Sequence, residues 1–303
     1  MNATGRDLVR RLWVLSSLAV VSTLVLFVSY RGVHGDTVPL ASSSAPGILA
    51  VDTARSAVQQ AHTAVDVDGS GPGPEATGDF HTRISVAHQS IAVAASEDVA
   101  GPADRHTLKT ITGLITVYSA WVELAGQEED ASLRAAFLHY AERGRDDIVE
   151  RLDELRDRRL VVAREQASFP WPLWLGWGAV VVLGLALCGA LVEAQWFARR
   201  RFRTAVQPWL LAATVLWAGW VTVLGWFTLR ARRAMTESLA ELREVRSADG
   251  IPEAGANVER YMADAGFWAS LSGWILVGGV VLMVLTVSGL GPRISEYRFR
   301  VPR

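Results

Sequence analysis

Four long uncharged apolar runs punctuate the chain, from Leu12 to Tyr30, Trp171 to Val192, Val206 to Leu229 and Ala265 to Pro292. An α-helix rises about 1.5 Å per residue, so about 20 such residues cross the roughly 30 Å hydrocarbon core of a bilayer. Each run predicts a membrane-spanning helix. Between the first and second runs the pattern changes to apolar and small residues at alternating spacings of three and four. The series are Val51, Ala54, Val58, Ala61 and Val65; then Ile84, Ala87, Ile91 and Ala94; then Leu108, Ile111, Ile115, Tyr118 and Val122. A fourth stretch, Ala131 to Gln166, adds Leu133, Phe137, Tyr140, Ile148, Leu152 and Leu155. This spacing places apolar side chains along one face of each helix. The expected fold is an all-α membrane protein with four transmembrane helices and an up-and-down four-helix bundle between the first and second spans.

The helix breakers agree with this count. Asp66 to Asp79 is rich in Gly, Pro and Asp, Ala100 to Asp104 contains Gly-Pro, and Gly126 to Asp130 is short and acidic; these separate the four bundle helices. Pro170 and Pro172 stand where the fourth helix meets the second span, and the two missing backbone donors mark them as hinge candidates. The third span is expected to continue as a helix through Arg230 to Arg246, with Met235, Leu239 and Leu242 on one face, and to stop near Ala248–Pro252. A short helix capped by Asn257 would lead back into the fourth span.

Charge sets the orientation. Arg6, Arg10 and Arg11 precede the first span, Arg199, Arg200, Arg201 and Arg203 separate the second from the third, and Arg293, Arg298, Arg300 and Arg303 follow the fourth. Short arginine-rich segments stay in the cytoplasm, so both termini and the second loop are expected inside the plasma membrane. The resulting organisation is a cytoplasmic tail at 1–11, spans at 12–30, 171–195, 206–229 and 267–291, an extracytoplasmic bundle at 31–170, a cytoplasmic arginine loop at 196–205, an outer helical loop at 230–266 and a cytoplasmic tail at 292–303. The length of the first run and its ending in Val-Ser-Tyr-Arg favour an uncleaved anchor over a signal peptide. Trp171, Trp174, Trp226 and Trp268 on the outer side, with Trp13, Trp196 and Trp209 on the inner, predict aromatic belts against lipid.

Candidate chemistry is sparse. A single cysteine, Cys188, allows no intramolecular disulfide and no thiolate metal cluster. Arg31 to Pro170 holds 21 acids against 13 basic residues and all six histidines, and offers no basic face for nucleic acid. Asp66, Asp68, Ser70 and Gly71 follow the opening of a calcium loop, but its twelfth position is Thr77, and a solvated linker accounts for the stretch as well. His81 and His88 share a helical face at a spacing too long for one ion. No nucleophile elbow, phosphate loop, metalloprotease or kinase motif is present, so neither a cofactor, a metal nor catalysis is expected. Gly184, Ala186, Gly189 and Ala190, with Gly273, Gly278 and Gly279, read as packing surfaces between spans. The span hydroxyls Ser16, Ser17, Ser22, Thr23, Thr214 and Thr222 are too few for an ion pathway. Tyr118, Trp121 and Glu123 form the aromatic cluster of the third bundle helix; Trp121 fits either a core plug or an anchor for a partner. Together with Arg199, Arg200, Arg201 and Arg203 inside, these are the candidate docking residues.

Leu114 to Ala125 (LITVYSAWVELA), Leu133 to Ala141 (LRAAFLHYA) and Trp196 to Arg203 (WFARRRFR) resemble the GlnX-like four-transmembrane signalling proteins of actinobacteria. That resemblance implies an extracytoplasmic solute-binding partner of the glutamate or amino-acid type and a cytoplasmic Ser/Thr kinase or other regulator. It implies no catalytic residue. A homodimer is expected by analogy with other bundles. The expected function is a non-enzymatic transmembrane signalling component. The competing reading is a structural or accessory subunit of a transporter or cell-envelope complex, and a small channel ranks last.

Overall fold

The computed structural model of the chain describes residues 3–35, 37–66, 74–97, 99, 101–168, 171–202, 208–245 and 248–299. These residues form helices and no strand. In chain order the α-helices are α1 (Ala3–His34), α2 (Thr37–Pro39), α3 (Ala45–Asp66), α4 (Pro74–Ser96), α5 (Pro102–Gln127), α6 (Ala131–Ala167), α7 (Trp171–Phe202), α8 (Pro208–Glu244), α9 (Ile251–Met262) and α10 (Ala265–Phe299). Two compact units result. One gathers residues 1–36, 169–233 and 264–303, the other 37–168 with 234–263.

The first unit is built from the four apolar runs, each of which forms a helix long and apolar enough to cross a membrane. Its core joins Leu15, Leu26, Val180, Leu187, Trp217, Leu224, Ile275 and Leu282. Its outer surface is apolar as well: Trp13, Val182, Leu185, Trp226 and Val280 are all more than 60% exposed. A surface of that kind is stable against lipid and unstable against water. Of the expected packing glycines, Gly184 meets Trp217 of α8, Gly278 meets Trp220 of α8, and Gly279 lies against Thr23 of α1. Gly189 and Gly273 face open space. Hydroxyls at Ser17, Thr23, Thr214 and Thr222 donate to carbonyls of their own helices, which satisfies them without a partner across the unit. Six of the seven belt tryptophans are exposed, but Trp268 is not. It packs beside Phe227 and under the Arg230 guanidinium, and its carbonyl accepts a 2.9 Å hydrogen bond from the Tyr30 hydroxyl. The expected belt position of Trp268 is therefore corrected: it is a core residue.

The second unit is a four-helix bundle. The side chains of the three-four stripes interdigitate, with Val51, Ala54, Val58, Ala61, Ile84, Ile91, Ile111, Ile115, Ile148 and Leu152 all in one core. Successive helices pack together, and α6 closes the ring on α3. Alanines on α3 (Ala54, Ala57, Ala61) and α4 (Ala87, Ala94) let those two helices approach along their length. Local chemistry fixes the ends. Gly101 adopts φ +78° and ψ −157°, a region that essentially only glycine enters, and turns the chain into Pro102 at the start of α5. Asp130 caps α6 by accepting from the Ser132 hydroxyl and from the backbone N–H groups of Ser132 and Leu133, and these hydrogen bonds, the hydroxyl's first, hold its carboxyl below the ordinary range.

Before α3 the chain makes a π-helical turn at Leu40–Ser44, in which the Ala45 N–H reaches Leu40 O. Pro46 lacks the N–H that Ser42 O would receive in an α-helix, and its ring crowds that carbonyl; the wider turn relieves both.

Residues 234–263 belong to the same unit. α8 runs on through Met235, Leu239 and Leu242, all buried, and α9 lays Ala254, Val258 and Met262 inward beside α3. The expected cap at Asn257 is corrected. α9 begins six residues earlier at Ile251, with Pro252 in its first turn, where a missing N–H costs nothing. Asn257 sits mid-helix and donates through Nδ2 to Glu241 Oε1 of α8 at 2.9 Å.

Candidate functional site

Two buried arginines of α6 organise the bundle. Arg159, 1% exposed, donates from Nε to Asp104 Oδ2 of α5 at 2.7 Å, from Nη1 to Gly47 O of α3 at 3.0 Å and from Nη2 to Ala94 O of α4 at 2.8 Å. One guanidinium thus holds all four bundle helices. Ala94 O is among the last carbonyls of α4, which lack intrahelical donors, so Arg159 also caps that helix. Gly47 permits the approach: a Cβ there would stand 2.7 Å from Arg159 Nη1.

One turn earlier, Arg156 donates from Nε to Asp52 Oδ1 of α3 at 2.6 Å and from Nη2 to both Leu242 O and Val245 O, each at 2.9 Å. Leu242 lies in the last turn of α8, whose terminal carbonyls attract a cation. Burial pushes the Asp52 carboxyl up to about 6, against the pull of the Arg156 and Arg55 guanidiniums. Its second oxygen, Oδ2, is buried with no hydrogen-bond partner. Arg55 pairs with Asp153 at 2.8 Å beside a cavity of about 210 Å³.

Neither arginine stood out in the sequence, because Leu155-Arg-Asp-Arg-Arg-Leu160 reads as a solvated charge run. The signal was the stripe itself. Ile148, Leu152, Leu155 and Arg159 continue one four-three-four spacing, and Asp104 stands four residues before Leu108 on the α5 stripe. Opposite charges at core positions of two neighbouring helices are the pattern of a buried pair.

The expected docking residues divide. Tyr118 is fully buried, its ring 5.8 Å from Phe80 and its hydroxyl 3.4 Å from His62 Nδ1, and burial raises its hydroxyl above the ordinary range. As a docking contact Tyr118 is corrected: it is the stripe residue between Ile115 and Val122. Trp121 is partly buried at the edge of the core, stacked on Phe137 and tilted against Tyr140 of α6 at ring separations of 5.8 and 5.4 Å. Around it, Val117, Leu124, Leu133 and Tyr140 are exposed on the α5 and α6 faces. Trp121 thus fills the edge of the core beside an exposed apolar strip.

Glu123 is exposed at a cavity of about 420 Å³ between the start of α4 and the end of α5. Thr77, Phe80 and His81 line it from α4; Val122, Glu123, Gly126 and Gln127 line it from α5. Pro172 lies in the first turn of α7, and Pro170 lies outside the described residues. Arg199, Arg200 and Arg201 fall in the last turns of α7, with side chains outside the described set, and Arg203 lies outside it altogether. So do Asp68, Ser70 and Gly71 of the calcium-like stretch. Among the described residues no three metal-capable side chains gather. At the other unit, Arg11 pairs with Glu193 at 3.2 Å beside a cavity of about 390 Å³.

These features define a class: a multi-pass helical membrane protein carrying a separate helical bundle tied by buried arginines. Residues 37–168, which run from α2 through the four bundle helices α3 to α6, match the family of the actinobacterial sensor domain. No curated protein and no solved structure matches the chain. The match supports a sensing role for the bundle.

Proposed function

We propose that the chain is a transmembrane signalling component whose bundle lies outside the cytoplasm, meets a ligand or a ligand-loaded solute-binding protein, and relays the event to a cytoplasmic partner such as a Ser/Thr kinase. The observation that carries the reading is the Arg156 contact set. A single side chain of α6 holds both Asp52 of α3 and the end of α8, and α8 is the same helix that begins as a candidate span. A ligand drives such a relay by favouring one of two bundle arrangements, and a change in the seating of α6 against α3 alters the grip on α8. The exposed apolar strip around Trp121 supplies the outer docking face. The arginines of 199–203 supply the inner one.

Photo-crosslinking amino acids at positions 121 and 201, followed by mass spectrometry from cells, test the reading. The expected captures are a solute-binding protein at 121 and a kinase or regulator at 201, the second changing when amino acids are added. In Arg156→Met the outer capture persists and the inner response is lost. Capture of transporter or envelope subunits alone, indifferent to added amino acids, overturns the relay in favour of an accessory subunit.

A further inference from the structure

We propose that the cavity between α4 and α5 is a binding site for a small organic cation, a protonated amine on a compact apolar body. The two helices are joined at their other ends, through Gly101, and here they leave a gap of about 420 Å³. That volume lies at the lower end of small-molecule sites and accommodates roughly ten non-hydrogen atoms. Its floor is apolar, made by Phe80 and Val122, which are 1% and 3% exposed, and Phe80 is held by the Tyr118 ring beneath it. Gly126, exposed on α5, lines it without a side chain. Thr77 and Gln127 add a hydroxyl and an amide.

The sign of the site follows from its charges. Among the described residues that line it, Glu123 is the acid, no lysine or arginine contributes, and His81 is the one other titratable side chain. The positive end of α4 and the negative end of α5 meet there and offset each other, so the carboxylate decides. Glu128, Glu129 and Asp130 follow directly along the chain but stand outside the lining. Arg83 of α4 pairs with Asp79, and Arg134 at the start of α6 donates to Glu128 O from Nε and Nη2. A cation gains from this arrangement and a free carboxylate is repelled. The apolar floor takes the body of the ligand, and burial of that body supplies most of the affinity.

The site deepens the sensing reading and rests on it for its biological role, but its test is binding alone. The probes are 4-fluorobenzylamine, protonated at neutral pH, and 4-fluorobenzoate, of like shape and opposite charge, followed by fluorine NMR with the full chain in nanodiscs. The amine is expected to bind saturably and the benzoate not to. Glu123→Gln weakens the amine at least tenfold. Gly126→Leu, which adds a side chain to the lining from an exposed position, abolishes it, and Glu129→Gln, outside the lining, leaves it unchanged. Equal binding of benzoate, an undiminished Glu123→Gln, or no saturable amine binding overturns the proposal. Amine binding together with crosslinks to transporter or envelope subunits alone keeps the site and removes the relay.

Discussion

Replacing Arg159 by alanine removes the guanidinium that holds Asp104, Gly47 and Ala94 together and strands the Asp104 carboxyl, whose side chain is 5% exposed. Breaking a buried ion pair from one side costs about 3–5 kcal/mol, because a charge is left without compensation in a poorly solvating interior. Folded domains hold about 5–15 kcal/mol in total, so this one change removes a large share. With a urea slope of about 1–3 kcal/mol per molar, the bundle midpoint should fall by roughly 2 M. Pulse proteolysis of the full chain in nanodiscs, read by mass spectrometry on peptides from 37–168, measures that midpoint. A shift of less than about 0.3 M, near the precision of such a titration, refutes the tie. A companion variant, Arg159→Met with Asp104→Leu, removes both charges and the desolvation of both ions; it should recover half or more of the loss. If the double variant is no better than Arg159→Ala, the unpaired carbonyls of Gly47 and Ala94 carry the cost instead.

Gly47→Ala should destabilise the bundle, since its Cβ would stand 2.7 Å from Arg159 Nη1, whereas Gly113→Ala on α5, with open space around it, should stabilise by about 0.5–1 kcal/mol; the same urea series separates the two signs. Acidification should loosen the end of α8 without unfolding the bundle. Asp52 is raised from 3.8 to about 6, so the folded state takes up its proton first; the group's contribution to stability is complete below 3.8 and declines as pH rises through about 6. Between about pH 7.5 and about pH 5, corrected amide exchange across 234–245 should rise in the wild type and stay flat in Asp52→Asn, and equal responses count against the Arg156 link. Gly279→Val drives a branched side chain into Thr23 of α1 and should lower the melting temperature in detergent by tryptophan fluorescence, whereas Gly273→Val, facing open space, should not.

The spans and the four bundle helices were legible because their signals are local. A run of uncharged apolar residues either matches the bilayer or does not, and a three-four stripe marks the buried face of a helix whatever it packs on. Helix ends were legible where glycine, proline or a capping acid fixed the backbone, as at Gly101, Pro102 and Asp130. At Asn257 the same logic misled. A good capping residue can equally serve mid-helix when a partner such as Glu241 is brought to it from elsewhere in the chain.

The sequence alone thus determined the helical class, the apolar spans and which face of each bundle helix is buried. Only the tertiary structure decided what the charged positions on those faces do. Arg156 and Arg159 look like neighbours in a solvated run until α3, α4, α5 and the end of α8 converge on them. Tyr118 and Trp121 look alike until the ring of helices encloses one and leaves the other at its edge. The reason is that periodicity is a property of one helix, while the cost of burying a charge or a hydroxyl depends on partners contributed by other helices.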